Sequence, residues 1–562
     1  MRKTDTNLSD LQTSGRPDSK RWLALFIVLL ATVMDMIDST IVNIAITSIQ
    51  QDLNATNSHI QWIVSGYTLP FSLGVITGGR LGDIFGRKKL FLVGTLGFTI
   101  ASALCGLSTS PEMLIASRVV QGIMAALMIP QVLSTIHATF SGKERNTAFG
   151  LHGAMSGVAT AIAPLIAGLV LYINLFGLSW RLIFYINLPV GLIILIGGLL
   201  YMQESKEIKV LKLDVIGAGI MTIALLMLLY PIIQWSDSKW NTGLLICLIV
   251  SIPVFIIFVI YEKYKTKVDN SPLVPFSLFK IRSFVGSLTV QFILFMFVSS
   301  FFFAFSIYMQ KGLGFSGLRT GLTYMPWTLS IAVGAIASIN LSPKLGRKLI
   351  SMAVLFMVFG LTGIILTINY MGTSITSWHL FPSMVLGGIG MGVTLPALTN
   401  SMLTGVPVED AGLASGVYNM LGLLAGAVGV ALVGIVLFGG LSSQSDDSIA
   451  AVIPQMKSQF VAEGVSLPLQ EEIVEDFTNN YKEYSSKEST EDNKFAIKTL
   501  KQNNEISSEM SKKITDIVEK SIIEAQKVNY TKAIKIVLVY EIVTLLIGFL
   551  LIFQIPKKKL DE

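Results

Sequence analysis

The chain has 562 residues, of which 52% are hydrophobic and only 14% are charged. Because a soluble domain carries about 25% charged residues, this composition excludes an ordinary soluble protein and predicts one that crosses the membrane many times. The net charge of +6 does not indicate a nucleic-acid partner, since most basic residues outside residues 440–531 lie in short loops.

Fourteen apolar segments follow one another, each long enough to cross a bilayer core of about 30 Å as a helix. They cover approximately residues 22–46, 60–78, 89–109, 112–137, 147–172, 181–202, 213–234, 241–262, 283–307, 321–340, 349–369, 377–404, 412–439 and 533–554. The alternation in segments of about ten residues that marks barrel strands is not seen. The first segment is too long for a signal peptide and is expected to remain in the protein. The predicted fold class is an all-α polytopic membrane protein.

Basic residues in the loops predict the orientation of the chain. A cytoplasmic N-terminus collects on that side Arg2, Lys3, Arg16, Lys20, Arg21, the cluster from Arg80 to Lys89, Lys143, Arg145, Lys206, Lys209, Lys212, Lys263, Lys265, Lys267, Lys280, Arg282, Lys344, Arg347, Lys348 and Lys557 to Lys559. The short loops of the other face hold little beyond Arg181, Lys239, Lys311 and Arg319. Since cytoplasmic loops accumulate Lys and Arg, and an even number of spans puts both termini on one side, we expect both termini in the cytoplasm.

A faint internal repeat organises the spans. The loop Leu341–Leu349 (LSPKLGRKL) between spans 10 and 11 echoes Leu81–Leu90 (LGDIFGRKKL) between spans 2 and 3. If spans 9–14 repeat spans 1–6, spans 7 and 8 are an inserted pair, and a transport site would lie near the midplane between the repeats. The predicted parts are a cytoplasmic tail (1–21), an N-terminal six-helix bundle (22–204), the inserted helices (205–265), and a C-terminal six-helix bundle (266–562) with a large extracellular loop (440–531).

The polar connection 440–531 carries two series of apolar residues at helical spacing. The first series is Val452, Met456, Phe460 and Val461, and the second, which leads towards the last span, is Ile506, Met510, Ile514, Val518 and Ile522. These series predict an external helical hairpin, and a disordered loop is the alternative.

Charged residues inside a spanning helix are costly, so each is a candidate functional residue. Asp35 and Asp38 lie three residues apart on one face of span 1, at mid-membrane depth or just outside it. Two close carboxylates repel each other in a low dielectric, so one of them is expected to hold a proton, as a proton carrier must. The alternative is a structural carboxylate bonded to Thr, Ser or Arg.

Arg118 in span 4 is expected a turn or two deep, at a level comparable with Asp38. It could hold a partner carboxylate ionised or release it when the helices rock, and the alternative is an Arg that snorkels to the interface. Span 5 presents a face of small residues that permits close helix contact, with a kink expected at Pro164. The members of this face are Gly150, Gly153, Gly157, Ala159, Ala163 and Ala167.

Together with the loop GGRLGDIFGRKKL (Gly78–Leu90), these segments resemble the drug:proton antiporters of the major facilitator superfamily, specifically the fourteen-span EmrB/QacA type. The likeness covers most of residues 20–440. Its motifs are IDSTIVNIA (Ile37–Ala45) in span 1, IQWIVSGY (Ile60–Tyr67) in span 2, Arg118, Gln121 and Gly122 in span 4, Ala163, Pro164, Ala167 and Gly168 in span 5, and Trp180, Arg181, Phe184, Asn187, Pro189 and Gly191 in span 6. The departures are Thr47 where a proline is usual, and Ala in place of two glycines in span 5.

The resemblance implies two six-helix halves plus two inserted helices, and roles for particular residues. Asp35, Asp38 and Arg118 would couple transport to protons, and the loop residues Gly79, Asp83, Gly86, Arg87 and Lys88 would gate the cytoplasmic face. The antiporter helix would use Gly150, Gly153, Gly157, Ala163, Pro164 and Gly168. A substrate cavity between the halves would be lined by Asp35, Asn43, Trp62, Tyr67, Gln121 and Met155, although Trp62 and Met155 could instead pack helices or face lipid.

The function expected is proton-coupled multidrug efflux of amphipathic, cationic compounds by alternating access, from a monomer in a bacterial cell membrane, with protons, substrates and lipid as its partners. The absence of a G-x-x-x-x-G-K-[ST] loop argues against a primary pump. Four scattered histidines, two cysteines and no nucleophile motif argue against an enzyme, a metal site or a cofactor. Export of an endogenous lipid, peptide or metabolite, and a non-transporting sensor, are the alternatives. Because Glu409 and Asp410 precede span 13 and Glu541 is the acid within a span of the C-terminal half, export of divalent cations is doubtful.

Overall fold

The computed structural model describes residues 20–205, 213–238, 241–269, 272–274, 276–407, 411–487 and 508–556. Within these residues the regular structure is helical, which confirms the predicted fold class. The tail before residue 20, the acids Glu409 and Asp410, and Ile506 of the second apolar series lie outside the described residues.

Seven helices form the first half of the molecule: α1 (Arg21–Leu53), α2 (Asn57–Phe85), α3 (Arg87–Gly106), α4 (Pro111–Thr139), α5 (Gly142–Ile173), the short α6 (Leu182–Tyr185) and α7 (Asn187–Tyr201). The predicted inserted pair is α8 (Val215–Ser238) and α9 (Thr242–Asp269). The remaining helices are α10 (Arg282–Ile307), α11 (Gly317–Leu345), α12 (Arg347–Met371), α13 (Ser377–Leu403), α14 (Ala411–Ser443), α15 (Ser445–Ala462), α16 (Leu467–Lys487) and α17 (Ser508–Leu551).

Fourteen long helical segments of the described residues account for the fourteen predicted spans. Thirteen are long and apolar enough to cross a membrane, with α6 and α7 counted as one. The remaining one is α2, whose 29 residues include Arg80 and Asp83 near its end. It packs against α4 on one side and α14 on the other, so protein surrounds much of its length.

Local signals explain where several helices begin and turn. Thr56 accepts a hydrogen bond from the His59 backbone N–H at the start of α2, and Ser110 does the same for α4 before Pro111. Gly86 joins α2 to α3 with φ 111°, and Gly346 joins α11 to α12 with φ 50°. The two segments with similar sequences, Leu81–Leu90 and Leu341–Leu349, therefore have the same geometry: a single glycine at positive φ joins two helices.

We call the side of the bundle at Gly86 the Gly86 face and the opposite side the hairpin face. On the hairpin face α15, α16 and the first part of α17 pack around a separate apolar core that includes Met456, Phe460, Phe477 and Ile514. The 44 residues of α17 extend roughly 66 Å, about twice the bilayer core, so its first half projects beyond the membrane. Val452, Met456, Phe460 and Val461 thus lie in α15, and Met510, Ile514, Val518 and Ile522 lie in α17.

The core of this projecting bundle provides a stability test on neighbouring residues. Phe460 is fully buried, whereas Val461 is 65% exposed. We expect Phe460→Ala to destabilise the bundle by about 3–5 kcal/mol because it leaves a cavity, and Val461→Ala to change little. Limited proteolysis of the purified protein, read as the cleavage rate within residues 445–530, measures the difference. Equal cleavage rates for the two variants would contradict the packing.

Candidate functional site

The centre of the first half is a buried ion pair between α1 and α4. The side chains of Arg118 and Asp38 are 1% and 0% exposed, and Arg118 Nη1 lies 2.6 Å from Asp38 Oδ2. Arg118 Nε donates to the Ile63 carbonyl of α2 at 3.2 Å, and the guanidinium carbon lies 4.2 Å from the centre of the Tyr67 ring. Charges removed from water need both a partner and hydrogen bonds, and this arrangement supplies both.

Amide and hydroxyl groups complete the surroundings of Asp38. Its Oδ1 accepts hydrogen bonds from Gln121 Nε2 at 2.9 Å and from Asn187 Nδ2 at 2.7 Å. Ser102 Oγ accepts from the same two amides, at 2.7 and 3.2 Å. Gln121 Oε1 in turn accepts from Arg118 at 2.7 Å. Helices α1, α3, α4 and α7 therefore share one hydrogen-bonded network around a single carboxylate.

Asp35, one turn earlier on α1, has a simpler environment. It is 1% exposed, and its one hydrogen bond within the described residues comes from the Tyr67 hydroxyl. Because the Tyr67 ring also packs on Arg118, this side chain connects the two carboxyl groups. The structure thus brings Asp35, Asp38 and Arg118 together, while their role in proton coupling stays a prediction.

The loop between α2 and α3 folds around Gly86. A Cβ atom placed there would lie 2.6 Å from Glu204 Oε1, so the tight turn leaves no room for a side chain. The Glu204 carboxylate accepts from the backbone N–H groups of Lys88 and Lys89, at 3.1 and 3.3 Å, and so caps the start of α3. Gly79 lies about two turns earlier, near the end of α2. A Cβ atom placed on it would lie 3.6 Å from the Cβ atom of Pro130 in α4.

The charged residues of this loop form two contacts. Asp83 Oδ1 accepts from Arg87 Nε at 3.0 Å and from Arg87 Nη2 at 2.8 Å. Lys88 Nζ instead donates to the carbonyls of Leu199 and Met202, at 2.8 and 2.7 Å, at the end of α7. Asp83 and Arg87 therefore pair with each other, while Lys88 bonds elsewhere because it reaches the carbonyls that α7 leaves unpaired.

The surroundings of α5 differ between its two ends. In the part nearer the Gly86 face, a Cβ atom would meet no atom within 4 Å at any of three glycines, Gly150, Gly153 and Gly157. In the part nearer the hairpin face, Ala163 is fully buried, a Cβ at Gly168 would lie 2.6 Å from Leu318 Cα, and a Cβ at Gly321 would lie 2.3 Å from the Pro164 carbonyl. The face of small residues predicted for α5 is therefore in close helix contact in the part nearer the hairpin face.

Hydrogen bonds between the two halves lie near the hairpin face, at the same level as the closely packed part of α5. The Thr47 hydroxyl of α1 bonds to the Gln310 side chain, and Gln310 Nε2 donates to the Ile44 carbonyl at 3.0 Å. Ser306 Oγ of α10 donates to the Asn43 carbonyl at 2.7 Å. These hydrogen bonds join the halves near the hairpin face, while α5 has open space beside its three glycines nearer the Gly86 face.

The residues predicted to line a substrate cavity do not all lie together. Tyr67 and Gln121 belong to the network of Asp35 and Asp38. Asn43 is at the junction of the halves, and its side-chain oxygen has no hydrogen-bond partner within the described residues. Met155 packs against the apolar core of the first half. Trp62 faces the inserted pair, with its ring 6.5 Å from that of Tyr230 on α8, because α2 is covered there by α8.

Sequence reasoning missed several polar residues of the site. Ser102 carries no signal beyond its polarity, whereas Asn187, named above only as part of the span 6 motif, could have been assigned to the site as the one amide side chain in the apolar run of α7. Gln310 follows the Phe-rich stretch of α10 and could have been noticed for the same reason. Glu541 of α17 is fully buried and bonded to Ser300 of α10, away from the Asp38 network. Within the described residues no group of three His, Cys, Asp or Glu side chains could hold a metal ion.

Comparison with known proteins gives consistent matches over most of the chain. The model of the Major Facilitator Superfamily matches residues 28–430. The "Probable actinorhodin transporter" of Streptomyces coelicolor is 34% identical over 547 residues, which cover 97% of this chain and 93% of that protein. The puromycin resistance protein of Streptomyces alboniger is 31% identical, covering 79% and 88% of the two chains. The tetracenomycin C resistance and export protein of Streptomyces glaucescens is 32% identical, covering 75% and 76%.

Among solved structures, the chain is similar to a bacterial homologue of the human lysosomal transporter Spinster in an inward-facing, unoccupied conformation. The TM-score is 0.57 at 14% identity, and the match covers 96% of this chain and 98% of that one. At this level of identity the similarity establishes the fold.

The buried ion pair predicts a characteristic pattern of stabilities. Arg118→Met should lower the free energy of unfolding by about 3–5 kcal/mol, because Asp38 stays buried without its cation. Adding Asp38→Asn in the same chain should recover part of that loss, since a neutral amide needs no counter-charge. Thermal unfolding of both single variants and the double variant in detergent measures this coupling. Losses that simply add would show that the two side chains do not depend on each other.

Proposed function

This chain belongs to the Major Facilitator Superfamily, and we propose that it is a proton-coupled exporter of amphipathic, cationic compounds that works by alternating access. The observation that carries the proposal is the fully buried Asp38–Arg118 pair with a second carboxyl, Asp35, one turn away. Ionisable groups inside a membrane protein are expensive and mark pathways for protons, ions or substrates. Matches to relatives named for transport, resistance and export support the direction of transport.

In the proposed cycle a proton and a cationic substrate compete for the carboxyl groups of α1. A proton on Asp38 removes the charge that attracts Arg118, while Arg118 keeps its bonds to the Gln121 side chain and the Ile63 carbonyl. Arg118 therefore keeps these two hydrogen bonds when its ion pair with Asp38 opens. Exchange of one proton for one monovalent cation moves no net charge, and so avoids the cost of about 2.3 kcal/mol per charge at 100 mV.

Coupling through Asp38 is tested by isosteric replacement. We expect Asp38→Asn to insert normally but to lose proton-driven movement of a cationic dye, because an amide cannot exchange the proton. Proteoliposomes with an imposed pH gradient, carrying both the dye and an internal pH probe, measure the two fluxes together.

Asp35→Asn is the matched control, since it removes a carboxyl one turn away from the ion pair. Wild-type coupling in Asp38→Asn would exclude Asp38 as the carrier, and loss of coupling in Asp35→Asn alone would assign that role to Asp35. Tyr67→Phe removes the hydrogen bond to Asp35 while leaving both carboxyls in place.

We propose that substrate enters the open space beside α5 and reaches Asp35, Asn43, Tyr67, Gln121 and Met155. Asp35 would attract a cationic substrate, and the Tyr67 ring would offer it a face for cation–π contact. Met155 would provide an adaptable apolar contact. Trp62, packed against Tyr230, is left out of this lining. With both termini in the cytoplasm of a bacterium, this space opens inward and the projecting bundle lies outside. One chain carries both halves, so a monomer is the proposed transporting unit.

A second candidate is the export of one particular compound. The names of three relatives each refer to a single substance: actinorhodin, puromycin and tetracenomycin C. Transport of several unrelated dyes by the same proteoliposomes would favour multidrug export. Transport of none of them, with the pH gradient and insertion intact, would favour a single dedicated substrate.

The Asp83–Arg87 pair is proposed to bias the gate at the Gly86 face. The side chains of Asp83 and Arg87 are 21% and 14% exposed, and an ion pair that water still reaches is worth about 1 kcal/mol, so losing it shifts two near-equal states by about fivefold. Asp83→Asn should shift the population towards the inward-open state. The measurement is the rate of thiol labelling of Gly153→Cys, a position with no neighbour within 4 Å of its Cβ, in a chain without Cys105 and Cys247.

Glu144→Gln is the matched control for this experiment. It removes another ion pair of the same face, that of Glu144 with Arg21 at 2.7 Å, without touching the loop. An unchanged labelling rate in Asp83→Asn, or an equal change in Glu144→Gln, would exclude a specific role of Asp83 in the gate.

A further inference from the structure

A second group of buried acids lies outside the site described above, where the inserted pair meets the Gly86 face. Asp214 precedes α8 and Glu262 lies near the end of α9, and they are 3% and 0% exposed. A Cβ atom placed on Gly217 would lie 2.3 Å from Glu262 Oε1 and 2.6 Å from Asp214 Oδ2. The two carboxyl groups therefore converge on one point above the first turn of α8.

Three of the four carboxyl oxygens of Asp214 and Glu262 accept hydrogen bonds. Asp214 Oδ1 accepts from the Gly217 N–H at 2.8 Å and from the Tyr261 hydroxyl at 3.1 Å, and Oδ2 accepts from the Leu273 N–H at 3.3 Å. Glu262 Oε2 accepts from the Val274 N–H at 3.1 Å. Glu262 Oε1, the oxygen directed at Asp214, is buried and has no donor within the described residues.

Two ionised carboxylates offer each other only acceptors, so they repel when they converge in a buried place. One proton between them removes the repulsion and supplies the donor that Glu262 Oε1 lacks. Among the residues that the structure describes, the other charged or titratable groups around the pair are Tyr261 and Lys265 on α9 and Arg80 on α2. Residues 272–274 and the first turn of α8 carry no charged side chain.

We infer that Asp214 and Glu262 form a further proton-binding site, in which one shared proton holds residues 272–274 in place. The backbone N–H groups of Leu273 and Val274 donate to Asp214 and Glu262, respectively. The preceding Pro272 carbonyl accepts from Arg80 Nη2 at 2.7 Å. Arg80 lies one turn before Asp83 near the end of α2, so the proton at this site sets how firmly residues 272–274 are held to the end of α2.

Loss of the shared proton leaves two like charges in contact and releases the segment. A consequence for transport rests on the proposed function, but the proton site itself does not. Its test therefore needs neither substrate nor a pH gradient, and it can fail or succeed independently of the Asp38 experiment.

The experiment is hydrogen–deuterium exchange of the full chain in lipid nanodiscs, followed on peptides that contain Leu273 and Val274. After correction for intrinsic exchange, wild-type protection should fall roughly tenfold from about pH 6 to about pH 9, the range in which buried carboxyl pairs lose a proton. In Glu262→Gln the amide N–H replaces the shared proton, so protection should stay high and independent of pH. Asp214→Asn places an amide N–H beside Glu262 Oε1 but removes the oxygen that accepts from Leu273, so it should lower protection of Leu273 while leaving protection of Val274 independent of pH, and it serves if the first variant does not fold.

Two glycines of α8 provide matched variants that keep both acids. Gly217→Ala puts a methyl group where the carboxyls meet and should lower protection at every pH, whereas Gly219→Ala, with open space around its Cβ, should behave as wild type. Protection that does not change with pH in the wild type, or that changes equally in Glu262→Gln, would overturn the inference. A purely structural role of the pair would lower protection in Glu262→Gln without removing its pH dependence, and would overturn it as well.

Discussion

The ion pair between Arg118 and Asp38 is the interaction on which the first half depends. Two charges at 1% and 0% exposure remain stable only if every donor and acceptor around them is used. That requirement recruits Ser102 from α3, Gln121 from α4 and Asn187 from α7. With α2, whose Ile63 carbonyl also accepts from Arg118, five helices are thereby tied together by the hydrogen-bonding demands of one carboxylate and one guanidinium.

The same requirement explains a close contact between α2 and α4. Arg118 must reach the Ile63 carbonyl and lie over the Tyr67 ring, so the two helices have to approach closely. Gly122 makes this possible, because a Cβ atom there would lie 2.3 Å from the Tyr67 carbonyl oxygen. The glycine that follows Gln121 in span 4 therefore serves the ion pair through backbone packing rather than through any chemistry of its own.

The fold and the family were predictable from sequence, whereas the partners within the site were only partly so. Hydrophobic segments of sufficient length predict helices directly, and the match over residues 28–430 confirms the family. Asp38 and Arg118 were detectable because charge is rare in a span, but the depth of Arg118 was needed to decide between pairing and snorkelling. Trp62 could not be assigned, since periodicity does not reveal that α8 covers that face of α2. A residue such as Ser102 gains its role only from neighbours distant in sequence.

The junction between the halves has a different chemistry from the interior of the first half. Thr47, Ser306 and Gln310 join α1 to α10 through neutral hydrogen bonds, each worth about 0.5–1.5 kcal/mol, whereas opening a buried ion pair costs about 3–5 kcal/mol. In the proposed cycle, rocking of the halves would break these weak contacts and leave the ion-pair network intact until a proton or a cation intervenes.

In the proposed cycle the inserted pair would follow that motion. Its helix α8 packs against α2 of one half and α14 of the other through apolar side chains such as Leu225 and Leu229. Apolar contacts have little directional preference and allow sliding. Its polar attachments, from Asp214, Glu262 and Arg80, lie together at the Gly86 face. In the proposed cycle these apolar contacts would let α8 slide between α2 and α14 while the polar bonds at the Gly86 face hold.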